Sequence, residues 1–411
     1  MKIAAVICEY NPFHAGHALQ YRQIRERCGE DTAVIALMSG NFVQRGETAI
    51  FDKYARAAMA VENGADLVLE LPFPFAMSGA ERFSTAAVRI LARLGCVDYL
   101  AFGCECGDAA ALLSLSDRLE DARFLSAYEQ TDAHTSLGCA EKTEWVYRDV
   151  YGDDSYLPLL REPNNLLAVS YLRALRRENC PVTPLALPRV GSAYHDTDAE
   201  TAIPSASALR RLLCEGEDGI QRALSKLPPA GAAIGAQEIR RGHLTSPRIL
   251  EENILTFYRV CRRENLLACD GMAGGLADRI CRAAWESADY SRFFTALRTK
   301  KYTDAYLRRA LLYGLFDVHT EDLNRAPLYT QLLGMRDAGQ AILSRTRRTR
   351  GIEVLTKPAD YRYLAPAAAA QAEKTFRADS LFSALFAVPV APSDMMRRAP
   401  YRKASQNMTR R

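Results

Sequence analysis

The sequence predicts an α/β fold: a doubly wound, Rossmann-like parallel sheet in residues 1–215, followed by a mainly α-helical, basic domain in residues 216–411. Three observations carry this reading. Short, almost continuously apolar runs alternate with helical patterns through the first half, the rhythm of βαβ units whose strands are covered on both faces. The second half shows almost only helical periodicity. Charge divides with the chain: the net +4 is −8 over residues 1–215 and +12 beyond them, which suggests different partners for the two halves, the second a polyanion, with a solvated basic surface the equal alternative on charge alone.

Taken in order, strands are expected at 3–8, 32–38, 67–71, 99–103 and 183–187, with helices at 18–28, 52–63, 80–94 and 165–177 between them. Residues 108–162 are more polar and read as a helical excursion with loops. The Pro/Gly/Ala-rich stretch 227–231 reads as a linker. Helices are then expected at 249–264, 273–288, 290–299, 303–315 and 327–336, one strand at 352–355, and a helix start at the alanine run after Pro366. The arginine-rich tail from Met395 has few apolar anchors and reads as partly disordered.

A hydrophobic content of 48% with 25% charged residues is that of a soluble globular protein. Apolar runs such as 33–38 are far too short to span a bilayer. With no leader-like amino terminus and eleven scattered cysteines, the expectation is a cytoplasmic protein with reduced thiols, no membrane association and no metal site.

The chemistry concentrates where strands give way to helices. Ile7, Cys8, Glu9, Tyr10, Asn11, Pro12, Phe13, His14, Ala15, Gly16, His17, Ala18, Leu19 and Gln20 run from the first strand through a tight turn into a helix expected to begin near His17. Two imidazoles three positions apart and a glycine at a helix start suit a phosphate chain, since free N–H groups and the dipole favour anions there. Zinc ligation, for which the sequence offers no third and fourth ligand, and simple helix capping are the competing readings. Residues 38–47 form a glycine-punctuated loop after the second strand, and Asp52, Lys53 and Arg56 open the next helix. Gly103 ends the fourth strand. Asn164 and Asn165 stand at a helix start, Arg189 and Val190 follow the fifth strand, and Ser205, Ser207 and Arg210 form a serine-rich helix start with a following cation. All these segments are expected at one sheet edge.

His14-x-Gly16-His17 after a first strand resembles the HxGH nucleotidyltransferase superfamily, and 203–210 resembles its second signature. Together with Glu9 to Phe13, 38–47, 66–72, 163–165 and 191–196, these segments closely resemble the bacterial tRNA(Met) cytidine acetate ligases. The resemblance covers nearly all of residues 1–215 and thins through 300–303 and 307–312. It implies an enzyme that activates acetate with ATP, carrying magnesium, to acetyl-adenylate, and passes the acetyl group to N4 of the wobble cytidine of elongator tRNA(Met). On that resemblance residues 7–20, Gly103, an asparagine of 164–165, Arg189 and Val190 bind ATP. His14 and His17 stabilise charge at the α-phosphate. The basic half would then hold RNA through Arg298, Lys300, Lys301, Arg308 and Arg309, and through Arg345, Arg347 and Arg348, with Tyr302 and Tyr306 stacking on bases. No protein partner is implied. The sheet-edge motifs alone also admit a small-molecule adenylyl- or cytidylyltransferase, or a non-catalytic ATP-sensing RNA-binding protein.

Overall fold

The computed structural model describes residues 1–131, 139–189, 204–349 and 351–403. In chain order its strands are β1 (Ile3–Cys8), β2 (Ala33–Ser39), β3 (Phe42–Val43), β4 (Glu47–Thr48), β5 (Leu67–Leu71), β6 (Tyr99–Cys104), β7 (Thr183–Pro188), β8 (Tyr329–Met335), β9 (Glu353–Leu355) and β10 (Tyr401–Arg402). The main sheet has the order β10-β8-β5-β2-β1-β6-β7, with β9 beside β8, while β3 and β4 form a separate hairpin. β5, β2, β1, β6 and β7 run parallel, as expected of apolar strands buried on both faces. The chain winds outward from β1 to β2 and β5, then returns to β6 on the other side of β1. The topological switch point therefore lies between β1 and β6, where open α/β sheets bind ligands beyond the carboxyl ends of the strands.

Two apolar layers enclose this sheet. Ile3, Ala5, Ile35, Leu37, Leu100 and Phe102 face helices Ala80–Leu94 and Pro163–Arg177. Ala4, Val6, Val34, Ala36 and Ala101 face the other way, toward α1 (Ala15–Cys28) and α2 (Lys53–Glu62). The alternation along each strand assigns successive side chains to opposite layers. A third cluster is built from the helices of 247–323 and Pro366–Ser383. Phe42 of the hairpin joins it to the sheet, with ring centroids 5.2 Å from Phe316 and 6.0 Å from Phe73.

Several expectations are corrected. Residues 327–336 are not helix: β8 is a wholly buried strand that pairs antiparallel with β5. Its Tyr-Thr-Gln-Leu-Leu run has no clean period, and only neighbours on both sides decide for strand. The sheet thus takes three strands from beyond residue 216. The stretch 227–231 is not a linker but the start of helix Pro229–Arg240, with Pro at its first turn. The described part of the tail, through Lys403, is structured: β10 pairs with β8, Lys403 bonds Glu62 at 2.6 Å, and Arg398 pairs with Asp52, while 404–411 lie outside the described residues. The first helix begins at Ala15 rather than near His17, because His14 is its cap. No helix among the described residues is long and apolar enough to cross a membrane, and the described cysteines are free thiols.

Candidate active site

A cavity of about 250 Å³ opens at the switch point. From β1 and the following turn it takes Ile7, Cys8, Glu9, Tyr10 and Asn11; from α1 and its cap, His14, Gly16, His17, Leu19 and Gln20. Gly103 lines it from β6, Asn164 from the helix after residue 162, Arg189 from the end of β7, and Ser205, Ser207 and Arg210 from helix Ala206–Leu213. Residues far apart in sequence are therefore brought to one edge, as their strand ends predicted. Pro12, Phe13, Ala15 and Ala18 belong to the same turn and helix without lining the cavity. Val190 and the segment 191–203 lie outside the described residues.

The two histidines are held by the backbone at the start of α1. His14 caps α1, its Nδ1 accepting from Gly16 N at 3.1 Å, while His17 Nδ1 accepts from His14 N at 3.2 Å. The rings lie with centroids 3.8 Å apart and tilted by 31°. A ring nitrogen that accepts is not the protonated one, so in each neutral imidazole the proton sits on Nε2. Burial pushes the His14 pKa down to about 3, with the Arg189 cation adding to it. Burial likewise takes His17 well below its usual value, helped by His14 and Arg189. The pair is thus neutral near pH 7, contrary to the expectation of a chargeable imidazole. It presents N–H donors instead, and cationic charge comes from the arginines.

Arg189 donates to Asn164 Oδ1 at 3.2 Å. Its stem lies against Gly103, where an added Cβ would sit 3.1 Å from Arg189 Cγ. Gly103 therefore makes room for the arginine as well as for a ligand. Arg210 donates to Asn11 O at 2.8 Å and Ser207 Oγ at 3.1 Å. Ser205 caps its helix by accepting from Ala208 N, the capping alternative realised beside the cavity. Asn165 is buried and turned away: its Oδ1 accepts from Glu105 N and Cys106 N, fastening the loop after β6 to the helix.

Beneath the cavity the turn is fixed by Arg56. Fully buried, it donates to the carbonyls of Glu9, Ser39, Gly40 and Phe51, joining the carboxyl ends of β1 and β2. Burial lowers its pKa to about 10. Asp52 and Lys53 are equally buried and do not reach the cavity. Asp52 caps α2; Lys53 Nζ bonds Glu70 Oε2 at 2.8 Å and Asp379 Oδ2 at 2.7 Å.

Gln44, Arg45 and Glu47 of the hairpin complete the cavity rim, with Gln23, Phe83, Phe102, Leu167, Tyr171, Leu187 and Pro188. The 38–47 loop signalled its part through its glycines and arginine. The aromatic residues gave no signal, since at helical or strand spacing they read as core.

The basic residues are divided. Lys300 and Lys301 are exposed before helix Asp304–Phe316, and Arg298 pairs there with Asp304 at 2.7 Å. Tyr302 and Tyr306 stack on each other, 4.9 Å apart. Arg308 and Arg309 are turned inward to the hairpin: Arg308 bonds Glu47 Oε1 at 2.7 Å and Arg309 bonds Gln44 O at 3.0 Å. Arg345 donates to Met1 O; Arg347 and Arg348 are exposed in the last turn of helix Asp337–Thr349. Among the described residues one group, Cys269, Asp317 and His319, brings metal-ligating atoms within 4.8 Å of one another, and none of the three lines the cavity.

Comparison with known proteins agrees with this geometry. The HIGH Nucleotidyl Transferase family model matches residues 1–397. The chain is 35% identical over 362 residues to the tRNA(Met) cytidine acetate ligase of Syntrophotalea carbinolica, covering 87% of this chain and 85% of that protein. It is 33% identical over 365 residues to that of Latilactobacillus sakei, covering 87% and 88%. The crystal structure of Thermotoga maritima TmcAL superposes with a TM-score of 0.91 at 27% identity, covering 98% of this chain and 100% of that one. A second form of that protein, bound with alpha-thio ATP, gives 0.90 at 26% identity over 98% and 100%. With the switch-point cavity, the paired histidines and matches along nearly the whole chain in agreement, this protein belongs to the HIGH nucleotidyl transferase family, among the tRNA(Met) cytidine acetate ligases.

Proposed function

We propose that the chain activates acetate with ATP and delivers the acetyl group to N4 of the wobble cytidine of elongator tRNA(Met), in the cytoplasm. In the first step an acetate oxygen attacks the α-phosphorus and pyrophosphate leaves, giving acetyl-adenylate. His14 and His17 donate from Nε2 to the α-phosphate, offsetting charge that grows in the transition state. Arg210 and the helix start at Ser205 and Ser207 hold the departing phosphates; Arg189, Asn164 and Gly103 hold the nucleoside end. Magnesium comes with the triphosphate as part of the substrate. The RNA lies over the basic second half, with Lys300, Lys301, Arg347 and Arg348 as exposed phosphate contacts.

The observation that carries this reading is the pair of neutral histidines, each with Nδ1 occupied, at the start of α1. Such a pair offers donors without competing for a proton. The test incubates the protein with labelled acetate, ATP and bulk bacterial tRNA without coenzyme A. Acid-stable label in tRNA, lost in His17→Ala, is the expected result. Pyrophosphate release with unlabelled tRNA would point to a small-molecule adenylyltransferase, and tRNA binding with neither product would end the enzymatic reading.

A further inference from the structure

The acetyl-transfer reading leaves one proton unassigned, and the inference drawn here rests on that reading. The exocyclic amine of cytosine is a weak nucleophile because its lone pair is conjugated with the ring. Attack on an acyl carbon requires an N–H proton to leave as the N–C bond forms. The histidines do not accept it, since both keep their proton on Nε2 and both are held neutral by burial. Two carboxylates line the cavity among the described residues, Glu9 and Glu47. Glu47 is engaged by Arg308 at 2.7 Å and Arg210 at 3.8 Å.

Glu9 differs. Its backbone is pinned by Arg56, and its carboxylate receives a hydrogen bond from Gln44 N on Oε1 at 2.9 Å. It directly follows β1 at the switch point, in the cavity that His14 and His17 line. From this placement we propose that Glu9 is the general base of acetyl transfer. Its carboxylate takes a proton from N4 as N4 bonds to the acyl carbon. The acyl C–O bond to the adenylate breaks, and its electron pair leaves on the phosphate oxygen of AMP.

The surroundings suit that task. Burial raises the Glu9 pKa; the Gln44 bond, Arg210 and Arg56 oppose the rise and Glu47 adds to it. Tyr171, on the helix packed beside it, and Cys8 both have pKa values raised by burial and stay neutral. A carboxylate whose pKa is raised by burial is a stronger base than one in water.

Two half-reactions separate a base from a merely structural residue. Acetate-dependent exchange of labelled pyrophosphate into ATP reads adenylation; single-turnover transfer from enzyme-held acetyl-adenylate to tRNA reads acetylation. In Glu9→Gln, transfer is expected to fall about 100-fold further than exchange, with Glu9→Asp recovering part of it. The acid limb of the wild-type transfer rate should vanish in Glu9→Gln. Equal losses in both half-reactions, or transfer within about threefold of wild type, overturn the assignment. So does a wild-type transfer rate that is flat from about pH 4 to 9, a measurement that needs no variant to fold. A wild-type protein that exchanges pyrophosphate but never labels tRNA sinks the functional reading itself, and Glu9 with it.

Discussion

Two polar clusters lie at the carboxyl edge of the same sheet and differ in how much hydrogen-bonding capacity they keep. Around the cavity, His14 and His17 use Nδ1 on the backbone and hold Nε2 in reserve, and Arg189 stays exposed. A few residues away, the cluster of Lys53, Glu70, Asp379 and Asn41 spends its groups internally. Asn41 Nδ2 bonds Asp379 Oδ1 at 2.8 Å, its Oδ1 accepts Lys53 N at 2.8 Å, and Lys53 bridges both carboxylates. The first cluster is arranged for something that comes and goes. The second ties β5 and the start of α2 to helix Pro366–Ser383, so it fastens the two halves of the chain.

The sharpest way to break the comparison is Lys53→Met, which leaves two carboxylates buried without their cation. We expect a loss of about 3–5 kcal/mol in urea-induced unfolding; a loss below about 1 kcal/mol would deny the cluster its fastening role. His17→Ala should do the reverse. Adenylation should fall about 100- to 1,000-fold, roughly 3–4 kcal/mol of transition-state stabilisation, with little change in unfolding. Comparable losses in activity and stability would mean that the pair is structural.

A pH experiment addresses the histidines directly. Folding lowers the His14 pKa from 6.5 to about 3, so the unfolded chain takes up the proton first. The stability tied to a neutral His14 is therefore full above pH 6.5 and declines as pH falls toward 3. Between about pH 7 and 5 this should cost the wild type about 2 kcal/mol that His14→Asn, which keeps a capping acceptor but does not titrate, does not lose. Identical pH profiles would show that His14 is not buried as described. The smallest effect is expected far from both clusters. Lys300→Ala with Lys301→Ala should flatten the salt dependence of tRNA binding by roughly 1.5–2 units of slope, leaving adenylation and stability untouched.

The sheet was largely legible in advance because parallel strands covered on both faces are written as unbroken apolar runs, as in Ile3–Cys8 and Leu67–Leu71. The cavity was legible through its punctuation: Gly16, Gly103, Arg189 and Ser205 mark strand ends and helix starts, and a parallel sheet gathers those at one edge. Phe83, Phe102 and Tyr171 were not, because a buried aromatic has the same pattern whether it faces core or cavity. β8 was missed for a related reason. Tyr329–Met335 lacks alternation, and its strand state comes from pairing with β5, over 250 residues away in sequence.

By itself, then, the sequence determined what depends on neighbours in the chain: the apolar parallel strands of the first half, the helices between them, and the motif that follows β1. Only the tertiary structure decided what depends on distant partners. It made His14 and His17 neutral donors, because burial rather than residue type sets their protonation. It turned Arg308 and Arg309 inward to the hairpin, where Gly46, at a φ of +72°, lets Arg309 approach; an added Cβ would stand 2.6 Å from Arg309 N. And it gave Glu9 and Glu47, two glutamates at one cavity, different partners: Glu47 meets an arginine and Glu9 a backbone N–H.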